Sequence, residues 1–303
     1  MKLLLTSDWH VRDDTPVCRT DDFWKVQWSK INWLIEQANR FDAHILNGGD
    51  LFNRGRPVQS QVLELMLIRL FHQLKKSLRM WIVPGNHDLP FHSMGELERS
   101  SLGVLFEMGV IANLHGVGTY LGKESELFLC GRGWGYDLNE VVIPDGYSKK
   151  DTIGVVHTMV CTKGNEYPGA SDAELYLKKH PQFKLIVTGD NHKRFVVRDG
   201  DRLLVNPGSL TRQAIDADDP VVYLYDTDKD DLVELPVPIE KDVISSEHRD
   251  VVVERDEKIA VFVESMKNEY DSDLDFEGNL KAHLVENPVS KETEKLIWEA
   301  VGA

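Results

Sequence analysis

A chain of 303 residues with 42% hydrophobic and 28% charged content is long enough for one large domain, or a domain with an appendage, around an ample core. The formal charge of −15 argues against a generally basic nucleic-acid-binding surface, although bound dications would change the field at a local site. No apolar run approaches the length of a membrane span, and the opening MKLLLTSDWH lacks the shape of a signal peptide. Cys18, Cys130 and Cys161, scattered and without a CxxC, read as reduced thiols of a cytoplasmic protein.

The first apolar run, Lys2 to Ser7, reads as a buried strand and ends in Asp8-Trp9-His10. From Asp21 to Phe41, the residues Phe23, Val26, Ile31, Leu34, Ile35 and Ala38 recur at helical spacing, with Thr20 or Asp21 as the cap. Trp24, Trp28 and Trp33 on this helix are assigned to core packing. Ala43 to Asn47 forms a second strand that runs into Gly48-Gly49-Asp50. A helix from about Val58 to Lys76 then delivers the chain to Arg79–Val83, which stops at Pro84-Gly85 and presents Asn86-His87-Asp88. Strands alternating with helices predict a largely parallel sheet. A third helix is expected over Ser93 to Met108.

After Asn113 the pattern turns strand-rich, with runs at 119–121, 127–130, 152–156, 183–188, 194–198, 202–205 and 221–225. The run at 152 ends in His157, and the run at 183 ends in Gly189-Asp190-Asn191-His192. Asp199-Gly200-Asp201 is a hairpin signal. The acidic clusters at 216–219 and 226–231 are expected to be solvated turns. Beyond Glu240 three short helices are expected: one marked by Ile259, Phe262, Val263 and Met266, one by Phe276, Leu280 and Leu284, and one capped by Ser290. His72, His92, His115 and His180 lie in connecting parts and are expected to be surface or structural.

Five short apolar runs therefore end in side chains able to ligate a metal. Buried strands that stop and present polar residues are how open α/β sheets build sites, outside the carboxyl ends of their strands. The collected set is three Asp, one Asn and three or four His, a mixed oxygen and nitrogen set that suits Mn, Fe or Zn better than Ca. That is more than one ion needs, and a two-ion site with a shared carboxylate accounts for it.

In this order, Asp-x-His, Gly-Asp, Gly-Asn-His-Asp, a lone His after a strand and a closing Gly-x-x-His resemble the calcineurin-like metallophosphoesterase superfamily. The resemblance covers roughly the first two thirds of the chain. It implies an α/β fold of two sheets packed face to face and flanked by helices, here with a small, mostly helical C-terminal appendage. The expected division is a nuclease-type domain over 1–238 and a cap or partner-binding region over 239–303. It further implies that Asp50 bridges two divalent ions, with Asp8, His10 and His192 completing one and Asn86, His157 and Asp190 the other. His87 matches the superfamily's non-ligand histidine, which stabilises or protonates the leaving oxygen, and Asp88 is expected to orient it.

The closing motif departs from the usual Gly-His-x-His, because Asp190 stands where a histidine is expected. Asp190 as a ligand would favour Mn²⁺ or Mg²⁺ over Zn²⁺; otherwise Asn191 or a water fills in. Gly49-Asp50-Leu51-Phe52, the opening Ser7-Asp8-Trp9-His10 and Asn206-Pro207-Gly208-Ser209-Leu210-Thr211-Arg212 resemble the SbcD-type nuclease branch, including its phage recombination members. Asn53-Arg54-Gly55 also comes close to a protein-phosphatase motif. The nuclease branch implies Mn²⁺-dependent 3′→5′ exonuclease and single-strand or hairpin endonuclease action on DNA, with an SMC-like ABC ATPase as partner. Homodimerisation through the helices after the second and third motifs is expected as well. Arg12, Arg54, Arg56, Lys193 and Arg194 flank the motifs as candidate phosphate contacts, and equally fit solvated surface charge. The alternatives are a protein or small-molecule phosphoesterase of the same fold, or a non-catalytic scaffold.

Overall fold

The computed structural model of the chain describes residues 1–56, 59–122, 127–147, 151–164, 167–247, 258–259 and 276–301. It comprises two compact units, Met1–Ile244 and Ser245–Ala303.

In the first unit, β1 (Lys2–Thr6), β2 (Ala43–Asn47), β3 (Met80–Ile82) and β4 (Ala112–Asn113) run parallel, joined through α1 (Phe23–Phe41), α2 (Ser60–Phe71) and α3 (Ser101–Glu107). The second sheet is built from β5 (Gly118–Leu121), β6 (Leu127–Arg132), β7 (Thr152–His157), β10 (Leu185–Gly189), β11 (Phe195–Asp199) and β12 (Arg202–Asn206) in the order 11-12-10-7-6-5. A short pair, β8 (Val160–Cys161) and β9 (Ser171–Asp172), and helix α4 (Ala173–Lys179) lie between β7 and β10. The chain then returns to the first sheet, where β13 (Val221–Asp226) pairs antiparallel with β1 and β14 (Asp231–Pro236) pairs antiparallel with β13.

Side chains of a strand alternate between faces, and the layers follow from that. Leu3 and Leu5 join Leu46, Trp81, Val155, Val187 and Val205 in a core between the two sheets. Leu4, Ile45 and Ile82 turn the other way, onto α1, α2 and α3, while Val156, Ile186 and Leu204 turn onto α4. Strands buried on both faces need continuous apolar runs, which is how they read in the sequence. The architecture is thus helices, sheet, sheet, helix, as expected.

Several local expectations shift. The cap of α1 is Asp22, whose side chain accepts from Lys25 N–H at 3.2 Å. Trp28 is buried and Trp24 and Trp33 pack against the same core, so the tryptophans belong to the interior. The expected third helix is broken at Ser100: an extended backbone there ends a 3₁₀ turn (Met94–Arg99), and its Oγ accepts from Gly103 N–H at 3.0 Å to start α3 afresh. Helix α2 stops at Phe71, its end tightened by i→i−3 bonds, and its expected start at Val58 lies outside the described residues. Strand β14 is not among the expected strands, because acidic residues precede it. The Asp199–Arg202 pair closes a two-residue hairpin at Gly200-Asp201, with Gly200 at φ 62°.

In the second unit, α5 (Phe276–Glu286) and α6 (Lys291–Val301) bury Leu280, Leu284 and Ile297 against one another, with Trp298 and Val301 at the margin. Ser290 Oγ accepts from Thr293 N–H at 3.2 Å, the expected cap of α6. The expected helix through Phe262 and Met266 falls outside the described residues. No helix among the described residues is long and apolar enough to cross a membrane.

Candidate metal centre and active site

Parallel pairing fixes where the chemistry collects. Thr6 pairs with Asn47, Asn47 with Ile82, and Gly189 with His157. The carboxyl ends of β1, β2 and β3 therefore share one edge of their sheet, and those of β7 and β10 share one edge of theirs. The loops leaving these ends interlock. Asp8 N–H donates to Gly49 O (3.0 Å), His10 N–H to Asp50 O (3.0 Å), and Asp190 N–H to Asp8 Oδ1 (3.1 Å).

Four of the gathered residues adopt positive φ: Asp8 at 49°, His10 at 45°, Asp50 at 52° and Asp190 at 85°. Each such conformation costs on the order of 1 kcal/mol or more outside glycine and is retained where the surroundings over-determine it. Glycines give the room. A Cβ on Gly85 would stand 2.1 Å from Asp50 Oδ1, and one on Gly49 would stand 2.3 Å from His157 Nδ1, with φ at 114° besides.

Two donor clusters share Asp50. In one, His10 Nε2 lies 2.9 Å from His192 Nε2, 3.7 Å from Asp50 Oδ2 and 4.0 Å from Asp8 Oδ1. In the other, His157 Nε2 lies 3.1 Å from Asn86 Oδ1, 3.5 Å from Asp50 Oδ2 and 3.8 Å from Asp190 Oδ1. Ligand atoms about 2.1 Å from a common ion stand about 3 Å apart at neighbouring vertices, which is the spacing of the closer pairs here. His157 Nδ1–H donates to Gly48 O at 2.8 Å, which makes Nε2 the nitrogen that faces the cluster. Asp8 Oδ2 is buried with no hydrogen-bond partner. A buried carboxylate oxygen without a donor is costly unless a cation meets it, so these residues fit a divalent pair.

The electrostatics agree. Burial pushes the Asp8 carboxyl up to about 6, with His192 and His157 only partly opposing it. Burial drives His10 down to about 3 despite Asp50 beside it. Burial also works against charge on His157 and Asp50, yet their mutual attraction wins, raising His157 to about 10 and holding Asp50 well below the usual carboxylate range. Asp190 is raised by burial, offset in part by His157.

Asn191, the alternative to Asp190, is committed elsewhere. Its Nδ2 donates to Val160 O (2.8 Å) and Cys161 Sγ (3.3 Å), and its Oδ1 accepts from Lys193 N–H (2.9 Å). Of Asp190 and Asn191, Asp190 is the one that faces the cluster around His157.

His87 stands at the rim, its ring 4.8 Å from that of His10 and nearly perpendicular to it. The expectation that Asp88 orients it is corrected by the structure. His87 Nδ1–H donates to Asn53 O at 2.9 Å, because only a donor can face a carbonyl. Asp88 instead ties two loops together: its Oδ1 accepts from Phe52 N–H and its Oδ2 from Gly85 N–H, both at 2.9 Å. Burial and the Asp50 charge push its carboxyl up to about 8, against those two donors. Replacing Asp88 with alanine strands two buried N–H groups, at about 1–3 kcal/mol each, offset in part because a polar carboxyl no longer has to be buried. The expected net loss is about 2 kcal/mol of unfolding free energy, read as a lower urea midpoint at unchanged m-value.

A cavity of about 390 Å³ opens at the clusters, lined among others by His10, His87, Asp190, His192, Arg12 and Lys193. Arg12 is held by Asp14 at 2.7 and 2.8 Å, and Lys193 lies 3.6 Å from Asp218. Arg54 and Arg56 line a neighbouring cleft. Arg194 lines neither, and its guanidinium is paired with Glu234 on β14. Sequence reasoning misses Gln213, whose Nε2 donates to His10 O at 3.1 Å, and the scaffolding role of Asn206. Asn206 Nδ2 donates to Asn191 O (2.6 Å) and Lys193 O (2.7 Å), so the Asn-Pro-Gly-Ser segment holds the closing motif in place. Gln213 carries no sequence signal, while Asn206 lies in a segment singled out by its family wording, which says nothing of this bond.

A search of curated proteins finds no significant match. Among solved structures, the TT1561 protein of Thermus thermophilus is similar with a TM-score of 0.50 and 18% identity, over 78% of this chain and 99% of that one. An archaeal phosphodiesterase aligns with a TM-score of 0.41 and 16% identity, over 78% of this chain and 99% of that one. Likeness at this level of identity concerns the fold. The profile of the calcineurin-like phosphoesterases matches residues 1–194, which hold every residue of both donor clusters, and the chain belongs to that family.

Proposed function

We propose that the protein is a Mn²⁺-dependent DNA nuclease acting as the nuclease subunit of a complex with an SMC-like ABC ATPase. The observation that carries a hydrolytic reading is the pair of donor clusters sharing Asp50, with His87 held at their rim. The nuclease reading is supported by the wording of Gly49-Asp50-Leu51-Phe52 and of Asn206 to Arg212. Arg54 and Arg56 beside His87 supply cationic groups for a phosphate backbone, despite the acidic balance of the whole chain.

Two bound divalent cations would lower the pKa of a water, neutralise a phosphodiester and hold it for in-line attack. Around them the chain's own groups have separate tasks. Asp50, fixed by accepting His87 N–H on Oδ1 at 2.8 Å, offers Oδ2 to both clusters. His87, with Nδ1–H committed to Asn53 O, has Nε2 free to give a proton to the departing alkoxide, a role worth about 10²–10⁴ in rate.

Asp190 sets the metal preference in this reading. An Asp190→His variant is expected to shift the ratio of Zn²⁺-supported to Mn²⁺-supported hydrolysis toward Zn²⁺ by about ten-fold, since imidazole suits the softer ion. Titrating both metals against a small phosphodiester measures it, and an unchanged ratio would mean that Asp190 does not meet the ion.

Helices α2 and α3 pack together, and Val62 and Leu65 on α2, Val104 on α3 and Met108 just beyond it are exposed apolar side chains around which the expected homodimer could form. The deciding experiment is hydrolysis by purified protein with Mn²⁺ of a DNA duplex, a single strand and p-nitrophenyl phosphate esters. DNA cleavage supports the nuclease, monoester hydrolysis alone supports a phosphatase, and inactivity on all three supports a scaffold. Co-purification with an SMC-like ATPase encoded beside it would test the partner.

A further inference from the structure

A second cleft, of about 760 Å³, shares only Asn53 and His87 with the first. Phe91 stands in it 91% exposed, more than any other large apolar side chain among the described residues. Its backbone sits at φ 55° and that of His92 at 52°. A bulky residue in that conformation, with its ring in water, gains neither a relaxed backbone nor burial.

The turn carrying the ring is nonetheless fixed. Leu89 is buried beneath it, His92 N–H donates to Leu89 O at 3.1 Å, Ser93 N–H donates to Pro90 O at 3.2 Å, and His92 Nδ1–H donates to Asn86 O at 2.9 Å. The last bond ties the turn to one of the clustered metal-ligand candidates. Arg54, Arg56 and Arg99 rim the cleft, and its one carboxylate, Glu96, is taken by Arg99 at 3.0 Å.

A rigid, solvent-facing aromatic ring among arginines is the combination that binds single-stranded nucleic acid: bases stack on the ring and phosphates meet the guanidinium groups. Here it borders the histidine assigned to the leaving oxygen. We infer that Phe91 is a stacking platform for an unpaired nucleobase next to the scissile phosphate, with Arg54 and Arg56 holding the flanking phosphates of that strand. The inference rests on the nuclease reading and deepens it. A strand whose terminal base is already unpaired enters this cleft directly, whereas a blunt duplex end must first open its last pair, so frayed, single-stranded and hairpin substrates are preferred.

The test uses the full chain with Mn²⁺ in a His87→Ala background that holds cleavage back, and a single strand of about 12 nucleotides bearing 2-aminopurine at successive positions. At one position the fluorescence is quenched on binding. Phe91→Ala removes the quench and weakens binding about ten-fold, while Phe91→Trp retains both. An abasic nucleotide at that position abolishes the difference between the parent and Phe91→Ala, because the stacking partner is gone. Equal affinity of the parent and Phe91→Ala, or a loss that persists on the abasic strand, overturns the inference. If wild-type protein cleaves DNA while Phe91→Ala binds as tightly as its parent, the nuclease reading stands and only the platform falls. If wild-type protein neither binds nor cleaves DNA, both fall.

Discussion

Replacing His87 with alanine is expected to lower phosphodiester hydrolysis by about 10²–10⁴-fold with both metal sites still filled. The geometry separates the two outcomes. His87 lies close enough to His10 and Asp50 to complete a donor triad with them. Yet the two groups around Asp50 are each assembled from other side chains, and His87 stands at their rim. In the proposed mechanism its loss therefore takes away the proton donor without opening either cluster. Calorimetric Mn²⁺ titration of His87→Ala should return two sites, as in the parent protein. A variant that loses a site along with its activity would make His87 a ligand, and the leaving-group assignment would have to be abandoned.

The second large effect is expected at Asp50. Its Oδ2 is 3.7 Å from His10 Nε2 and 3.5 Å from His157 Nε2, one on each side. It is also held at positive φ, and its Oδ1 accepts from His87 N–H. Substitution by alanine removes the carboxylate common to both clusters and leaves His10 and His157 without their nearest shared counter-charge. Binding to the folded state alone stabilises it by about 2.7 kcal/mol at a ligand concentration a hundred times Kd. Wild-type protein should thus show a Mn²⁺-dependent rise in melting temperature that EDTA reverses. Asp50→Ala should show no rise and no detectable hydrolysis. A preserved Mn²⁺ shift in the variant would mean that the ion sits elsewhere.

These expectations rest on residues that the sequence exposes unevenly. The apolar runs before Asp8, Asp50, Asn86, His157 and Asp190 are legible because a strand buried on both faces must be continuously apolar, and a polar residue at its end marks where it leaves the core. The third helix reads as continuous across Ser100 because an apolar period carries no mark of a restart, whereas a serine capping a new helix does so only through a contact to Gly103 N–H. Asp88 reads as the partner of His87 because they are neighbours in the chain. Adjacent residues commonly diverge, and only the folded loops show that its oxygens meet Phe52 and Gly85. The pairing of Arg194 with Glu234 is likewise invisible in the sequence, since Glu234 lies on β14, a strand hidden behind acidic residues.

The alternation of strands and helices and the pool of metal-ligand candidates thus follow from the residues, because burial period and donor chemistry are local properties of the chain. The two-sheet architecture and the ligand roles come with the family resemblance. Which atoms converge, which histidine nitrogen is free, which carboxylate serves the scaffold and which arginines remain available emerge only on folding. Those outcomes depend on hydrogen bonds between segments far apart in the chain, such as Asp190 to Asp8 and His157 to Gly48, and on positive-φ turns that no single residue type dictates.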